Sequence, residues 1–190
     1  IFMIKIKNLT LAIIGSLMII GCGNSKKDEE TKTVEVQTET EPKNENLKNL
    51  EREASRLRAG GSIKTVELGN GKANIEYVKD YAEYKKLNPQ SGLDKSSWET
   101  YWETSDGVEK AIVDGSVKLM KKLDFLNEVK ITIPYNGKIY SINVEKSELE
   151  KFVGSDFKTI VSDWDNKFSN PYVYNDSGRQ KFFAEFGSTE

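Results

Sequence analysis

The chain contains no histidine and a single cysteine, and these two shortages remove most metal and nucleophile chemistry. Protein zinc sites draw on Cys, His and carboxylates, so with His missing and Cys22 alone neither a metal nor a cofactor is expected. Serine and cysteine hydrolases that rely on a histidine base are excluded on the same ground. A lone cysteine cannot close an intrachain disulfide, so the fold has to stand on its core, and a chain of this length can bury one. A surplus of one charge is also lacking: 28 basic against 30 acidic residues leave a formal charge of −2. No basic excess marks a nucleic-acid partner. Long apolar runs are missing too, since residues 9–20 would rise roughly 18 Å as a helix against about 30 Å of bilayer hydrocarbon. What remains open is carboxylate chemistry, lysine chemistry, or binding without chemistry.

That short apolar run is nevertheless informative. Lys5 and Lys7 precede it, and Gly21 and Cys22 close it, which is the order of a secretory signal: basic start, apolar core, small residue at the cleavage point. The ending Ile19-Ile20-Gly21-Cys22 resembles the lipobox of bacterial lipoproteins. The resemblance implies removal of residues 1–21 by cleavage after Gly21, diacylglycerol in thioether linkage to Cys22, and acylation of the new amino terminus with a palmitate-type chain. Two or more acyl chains hold a protein on a membrane, each buried methylene contributing about 0.8 kcal/mol. The resemblance places the protein in the cell envelope. In a Gram-negative cell it implies the outer membrane, because Gly23 rather than an aspartate follows Cys22; in a Gram-positive cell it implies the outer leaflet of the plasma membrane.

Residues 22–45 are rich in Lys, Glu, Thr and Asn and show no apolar period. A segment of that kind cannot bury enough apolar surface to offset its ordering entropy, and it reads as a flexible tether to a domain spanning 46–190. Leu47, Leu50, Ala54 and Leu57 then recur at helical spacing up to Gly60-Gly61. Residues 62–68 and 72–78 around Gly69-Asn70-Gly71 read as a hairpin, although Ile63 and Val66 fall on opposite faces of a regular strand. Ser96 and Glu99 form a capping box. Asp106-Gly107 interrupts that helix, and Val108, Ile112, Gly115, Leu119, Leu123 and Leu126 mark the stripe of a long core helix.

The second hairpin is clearer. Val129, Ile131 and Ile133 alternate with polar residues, Asn136-Gly137 supplies a two-residue turn, and Tyr140, Ile142 and Val144 alternate again. A two-residue loop pairs Ile133 with Tyr140, Ile131 with Ile142 and Val129 with Val144. Short helices complete the chain, capped by Ser147 with Glu150 and by Ser177 with Gln180, with a break at Asn170-Pro171. The expected fold is α+β: a small single domain of antiparallel hairpins packed on one long helix, with several short C-terminal helices.

Two aromatic groups are candidate binding surface. Trp98, Tyr101 and Trp102 share a helical face by spacing, suited to a sugar or peptide platform or to core packing. Tyr172 and Tyr174 follow Pro171 in an expected loop, where aromatics bind or form a lid. Asp163, Asp165 and Asn166 fail the calcium-loop pattern, since the positions that need Gly and Glu hold Phe168 and Tyr174. Lys118, Lys121 and Lys122 read as a solvated face. No acid is singled out as catalytic, and no enzyme activity is expected. The reading favoured is an anchored envelope lipoprotein acting as a binding module for an envelope protein, a glycan or a host molecule. The alternatives are a carrier or sensor of a small apolar ligand and a carboxylate-dependent envelope hydrolase.

Overall fold

A computed structural model describes residues 41–103 and 105–190. The leader, Gly21, Cys22 and the tether through residue 40 lie outside the described residues. Helix α1 spans Glu41–Ala54, beginning ahead of the boundary expected at residue 46. Pro42 falls in its first turn, where a missing N–H costs nothing because that donor has no partner within the helix.

Strands β1 (Ile63–Gly69) and β2 (Lys72–Tyr77) form the first hairpin. Asn70 at φ 53° and Gly71 at φ 76° make its turn, the positive-φ pair that a two-residue hairpin loop requires. The register shifts between Ile63 and Thr65, so Lys64 is an inserted residue. This bulge resolves the imperfect alternation: Ile63, Val66 and Leu68 pair with Tyr77, Ile75 and Ala73, which lie on the buried face. A bulge of this kind moves a strand into the opposite phase without breaking the pair.

Helices α2 (Tyr81–Leu87), α3 (Lys95–Tyr101) and α4 (Ser105–Lys122) carry the chain across to β3 (Glu128–Tyr135). The α3 cap is Asp94 rather than the expected Ser96 box. Asp94 Oδ1 accepts from the Ser97 amide at 2.8 Å and Oδ2 accepts from Ser97 Oγ at 3.1 Å, so the carboxylate holds both donors and starts the helix one residue ahead of Ser96. Helix α4 buries far more than one stripe, because the sheet lies on one side of it while α1 and the C-terminal helices lie on the other.

Strands β3 and β4 (Lys138–Glu145) pair in the register the sequence predicts, Ile133 with Tyr140, Ile131 with Ile142 and Val129 with Val144. The two hairpins join through β2 and β3, which run parallel. The sheet is therefore mixed rather than wholly antiparallel, and the helical crossover from α2 to α4 is what makes parallel neighbours possible. A short strand β5 (Gly187–Thr189) completes the order β1-β2-β3-β4-β5.

After β4 come α5 (Lys146–Val153), α6 (Phe157–Ser162), a π-helix over Asp165–Tyr174, and α7 (Asp176–Phe186). The expected caps differ here as well. Ser147 Oγ donates to Glu145, Glu150 accepts from the Phe157 amide to start α6, and Asn175 caps α7 through the Gly178 amide at 2.8 Å. The expected break at Pro171 is absorbed instead by the wider π turn, in which Asn175 N donates to Asn170 O at 3.1 Å. Proline lacks an N–H and crowds the preceding turn, and the looser i to i−5 spacing accommodates both faults. Tyr172 and Tyr174 consequently sit on a helix, not in a loop. Among the described residues no helix is long and apolar enough to cross a membrane.

Candidate binding site

Three elements converge on an open cleft of about 760 Å³: the start of α2, the length of α3, and the β3–β4 turn with Pro134, Tyr135 and Asn136. Its aromatic wall is Tyr81, Trp98 and Trp102, and its polar rim includes Lys79, Asp80, Lys95, Glu99 and Glu103. Behind it lies a smaller recess of about 170 Å³ lined by Tyr84, Leu93, Trp98, Tyr101 and Trp102. Trp98 and Trp102 line both spaces, so they form the partition between them.

The partition is held by packing and by hydrogen bonds from Trp98 and the tyrosines against it. Trp98 lies 6.2 Å from both Tyr81 and Tyr84, which stack on each other at 6.0 Å. Trp98 Nε1 donates to Ser62 Oγ at 3.0 Å, Tyr81 Oη donates to Leu93 O at 2.8 Å, and Tyr84 Oη shares a 2.8 Å bond with Ser91 Oγ. Trp102 is only 3% exposed, with Tyr77 against it edge-on at 5.9 Å. Rings fixed in this way present apolar faces without further ordering cost, which is the pre-organisation that tight binding needs. Burial, with Glu103 and Tyr140 nearby, holds the Tyr135 hydroxyl above its ordinary range, so it stays a neutral donor at the cleft edge.

The five aromatics expected from the sequence therefore divide. Trp98, Tyr101 and Trp102 come together, with Trp102 in the core and Tyr101 at 51% exposure. Tyr172 belongs to the aromatic core under the C-terminal helices, 5.3 Å from Phe152 and 5.8 Å from Phe182. Tyr174, 60% exposed, lines a separate concavity with Arg58 and Trp164. Asn166 donates to Asp163 at 2.7 Å, and among the described residues no cluster of acids, Cys or His could hold a metal.

One group escapes sequence reasoning altogether. Arg179 is 1% exposed and meets Asp106, Asp176 at 3.0 Å and, more loosely, Glu109 at 3.7 Å. Its Nη1 donates to Val173 O at 2.8 Å, so it satisfies a carbonyl in the last turn of the π-helix, where such groups lose their helical partners. Burial raises the Glu109 carboxyl above its ordinary value. No spacing or motif marks a buried arginine, because the pattern for a polar helix face is the same whether or not another helix covers it. Compared with models of protein families, with curated proteins and with solved structures, the chain matches none.

Proposed function

We propose that the protein is a membrane-anchored envelope lipoprotein whose α+β domain binds a glycan in the cleft between α2, α3 and the β3–β4 turn. The observation that carries this is the fixed aromatic wall, Tyr81 with Trp98 and Trp102, braced from behind by Tyr84, open to solvent on one side and bordered by charged residues. A sugar ring has an apolar C–H face and a hydroxyl edge, so it would lie on Tyr81 and Trp98 while the rim takes up its hydroxyls. Sites of this kind combine aromatic walls with a few convergent polar groups. Anchorage through Cys22 to the outer membrane or plasma membrane would hold the module against envelope polysaccharide. A carrier of an apolar ligand between α4 and the sheet finds no such support, since Ile112, Leu119, Ile131 and Ile142 are all buried at that interface.

The test is calorimetric titration of the full chain in non-ionic micelles with oligosaccharides released from the cell envelope. Tyr81→Ser, in the cleft wall and partly exposed, is expected to weaken binding by about 0.5–1.5 kcal/mol, the worth of one aromatic contact. Absence of binding across the panel, or a Tyr81→Ser protein that binds as the native one does, refutes the glycan reading. Mass spectrometry of the protein from cells addresses the anchor separately: an unmodified residue 22 would leave it without support.

A further inference from the structure

Away from the aromatic cleft, Arg56 and Arg58 from the turn after α1 face Lys118, Lys121 and Lys122 from α4 across a concavity of about 420 Å³. Five cations crowd there in a chain whose formal charge is −2. Three carboxylates stand nearby. Glu53 pairs with Arg56 at 2.7 Å, Asp114 is shared between Arg58 at 3.5 Å and Lys118 at 4.0 Å, and Asp165 lies near Lys121. Five cations against three anions leave two positive charges uncompensated. Lys121 and Lys122 make no ion pair within 4.0 Å among the described residues, and Arg58 Nε is a buried donor with no hydrogen-bond acceptor.

The aromatic walls are arranged around these charges. Lys121 Nζ sits 4.0 Å above the Trp164 ring, a contact that orients an ammonium without neutralising it. Arg58 Nη2 donates to Tyr174 Oη at 3.3 Å, which aims its guanidinium into the concavity. Burial, together with repulsion from Lys122 and Lys118, depresses the Lys121 pKa, so an arriving anion relieves an existing repulsion. A single carboxylate would offset only half of the excess. A phosphate monoester carries about −1.5 to −2 charges near neutral pH and offers three acceptor oxygens, which matches both the excess and the donors.

We propose that this pocket binds the phosphate monoester of a small ligand, a sugar phosphate or a phosphatidate headgroup, through Arg58, Lys121 and Lys122, with Trp164 and Tyr174 against its carbon-bearing part. The site is independent of the aromatic cleft and of the glycan reading.

Calorimetry on the full chain in non-ionic micelles at low ionic strength tests it. The probes are inorganic phosphate, glucose 6-phosphate and dihexanoyl phosphatidic acid, with glucose and dihexanoyl phosphatidylcholine as phosphomonoester-free controls. At least one ester is expected to bind more tightly than inorganic phosphate, and whichever ester is tighter identifies the source. The double substitution Lys121→Gln with Lys122→Gln is expected to weaken that binding roughly tenfold, as loss of two ion pairs in an open, solvent-screened concavity implies. The pair Lys130→Gln with Lys138→Gln, on the sheet, is expected to leave it unchanged. The proposal is overturned if no ester binds up to about 10 mM, if the controls bind as well, if inorganic phosphate binds as tightly as both esters, or if the two double variants lose affinity equally. Circular dichroism of each variant separates loss of a contact from loss of fold.

Discussion

Replacing Arg179 by methionine and by alanine separates what its charge does from what its volume and hydrogen bond do. The Nη1 bond to Val173 O is the firmest contact, 2.8 Å long and buried; a hydrogen bond from a charged donor is worth about 1.5–3 kcal/mol. The ion pairs contribute less, because the side chains of Asp106 and Asp176 are 43% and 77% exposed, and exposed pairs are worth about 0–1 kcal/mol each. Against these stands the desolvation of a guanidinium whose Nε lacks a hydrogen-bond acceptor, a penalty that an apolar residue of similar length escapes. The terms leave Arg179→Met destabilised by about 1–2 kcal/mol, whereas Arg179→Ala adds a cavity and reaches about 3–5 kcal/mol. For a domain of this size those losses lower Tm by roughly 2–8 °C and 6–20 °C respectively. Denaturant titration followed by far-UV circular dichroism measures both. The linkage has a sign as well. Burial raises Glu109, so the folded state binds its proton more tightly than the unfolded chain, and this group makes stability fall as pH rises between its ordinary and raised values. A methionine variant as stable as the native chain would show that Val173 O needs no donor. One as damaged as the alanine variant would show that charge, not volume, holds the site.

Gly178→Ala should destabilise by about 1–3 kcal/mol through overpacking, although helix propensity alone favours alanine by roughly 1 kcal/mol. The added Cβ would collide with the Pro171 backbone carbonyl, and a chemical melt showing a gain would refute that collision. Asp94 and Asp156 are held below the ordinary aspartate range, Asp94 chiefly by the Ser97 amide and Asp156 chiefly by the Thr159 hydroxyl. Their contribution is therefore present above the unfolded value, near 3.9, and is lost as pH falls through the folded values. Asp94→Asn with Asp156→Asn should flatten the acid limb of a stability–pH curve, and an unchanged limb would assign acid unfolding to other groups. Tyr77→Phe should cost about 0.5–1.5 kcal/mol, the worth of one hydrogen bond, while phosphate affinity changes less than about twofold because Asp114 and Tyr174 still hold the Arg58 guanidinium. A larger loss in calorimetry would mean that the Tyr77 contact helps to aim Arg58.

Local signals made the hairpins legible. Asn70-Gly71 and Asn136-Gly137 can adopt positive φ cheaply, and once the turn is fixed the register of Ile131 against Ile142 follows from counting. The bulge at Lys64 was visible only as a phase error between Ile63 and Val66. What lay beyond local reach was how the hairpins meet: nothing in residues 72–76 or 128–132 encodes their parallel pairing, which depends on the crossover helices finding their places. β5 escaped because its three residues carry no period and its partner is β4, far earlier in the chain. The α3 cap differs from the expected one because Ser96 with Glu99 fits the capping-box pattern and Asp94, with Ser97 three residues on, does not, yet Asp94 caps through its own carboxylate. In the candidate site the spacing of Trp98, Tyr101 and Trp102 correctly put them together, but Tyr81, Tyr84 and Tyr135 join them from other elements. Lys118, Lys121 and Lys122 were legible as a polar face. That Arg56 and Arg58 turn this face into a concavity follows only from where α1 ends against α4.

Arg58 connects the two proposed sites through opposite ends of one residue. Its backbone carbonyl accepts from Tyr77 Oη at 2.9 Å, and the Tyr77 ring meets Trp102 edge-on, at the partition of the aromatic cleft. Its side chain faces Asp114 and Tyr174 in the basic concavity. Tyr77 is buried and paired with Ile63 across the bulged end of the first hairpin, so the turn carrying Arg58 is fixed by the same sheet that fixes the aromatic wall. An arrangement with one discrete position does not transmit a signal, because coupling needs two alternative states that ligands can favour differently. The shared residue therefore argues for two rigid, independent sites on one scaffold. Saturating the cleft with a glycan should leave the affinity for a sugar phosphate as it was, whereas reciprocal shifts in the two affinities would reveal a second conformation of the Arg58 turn.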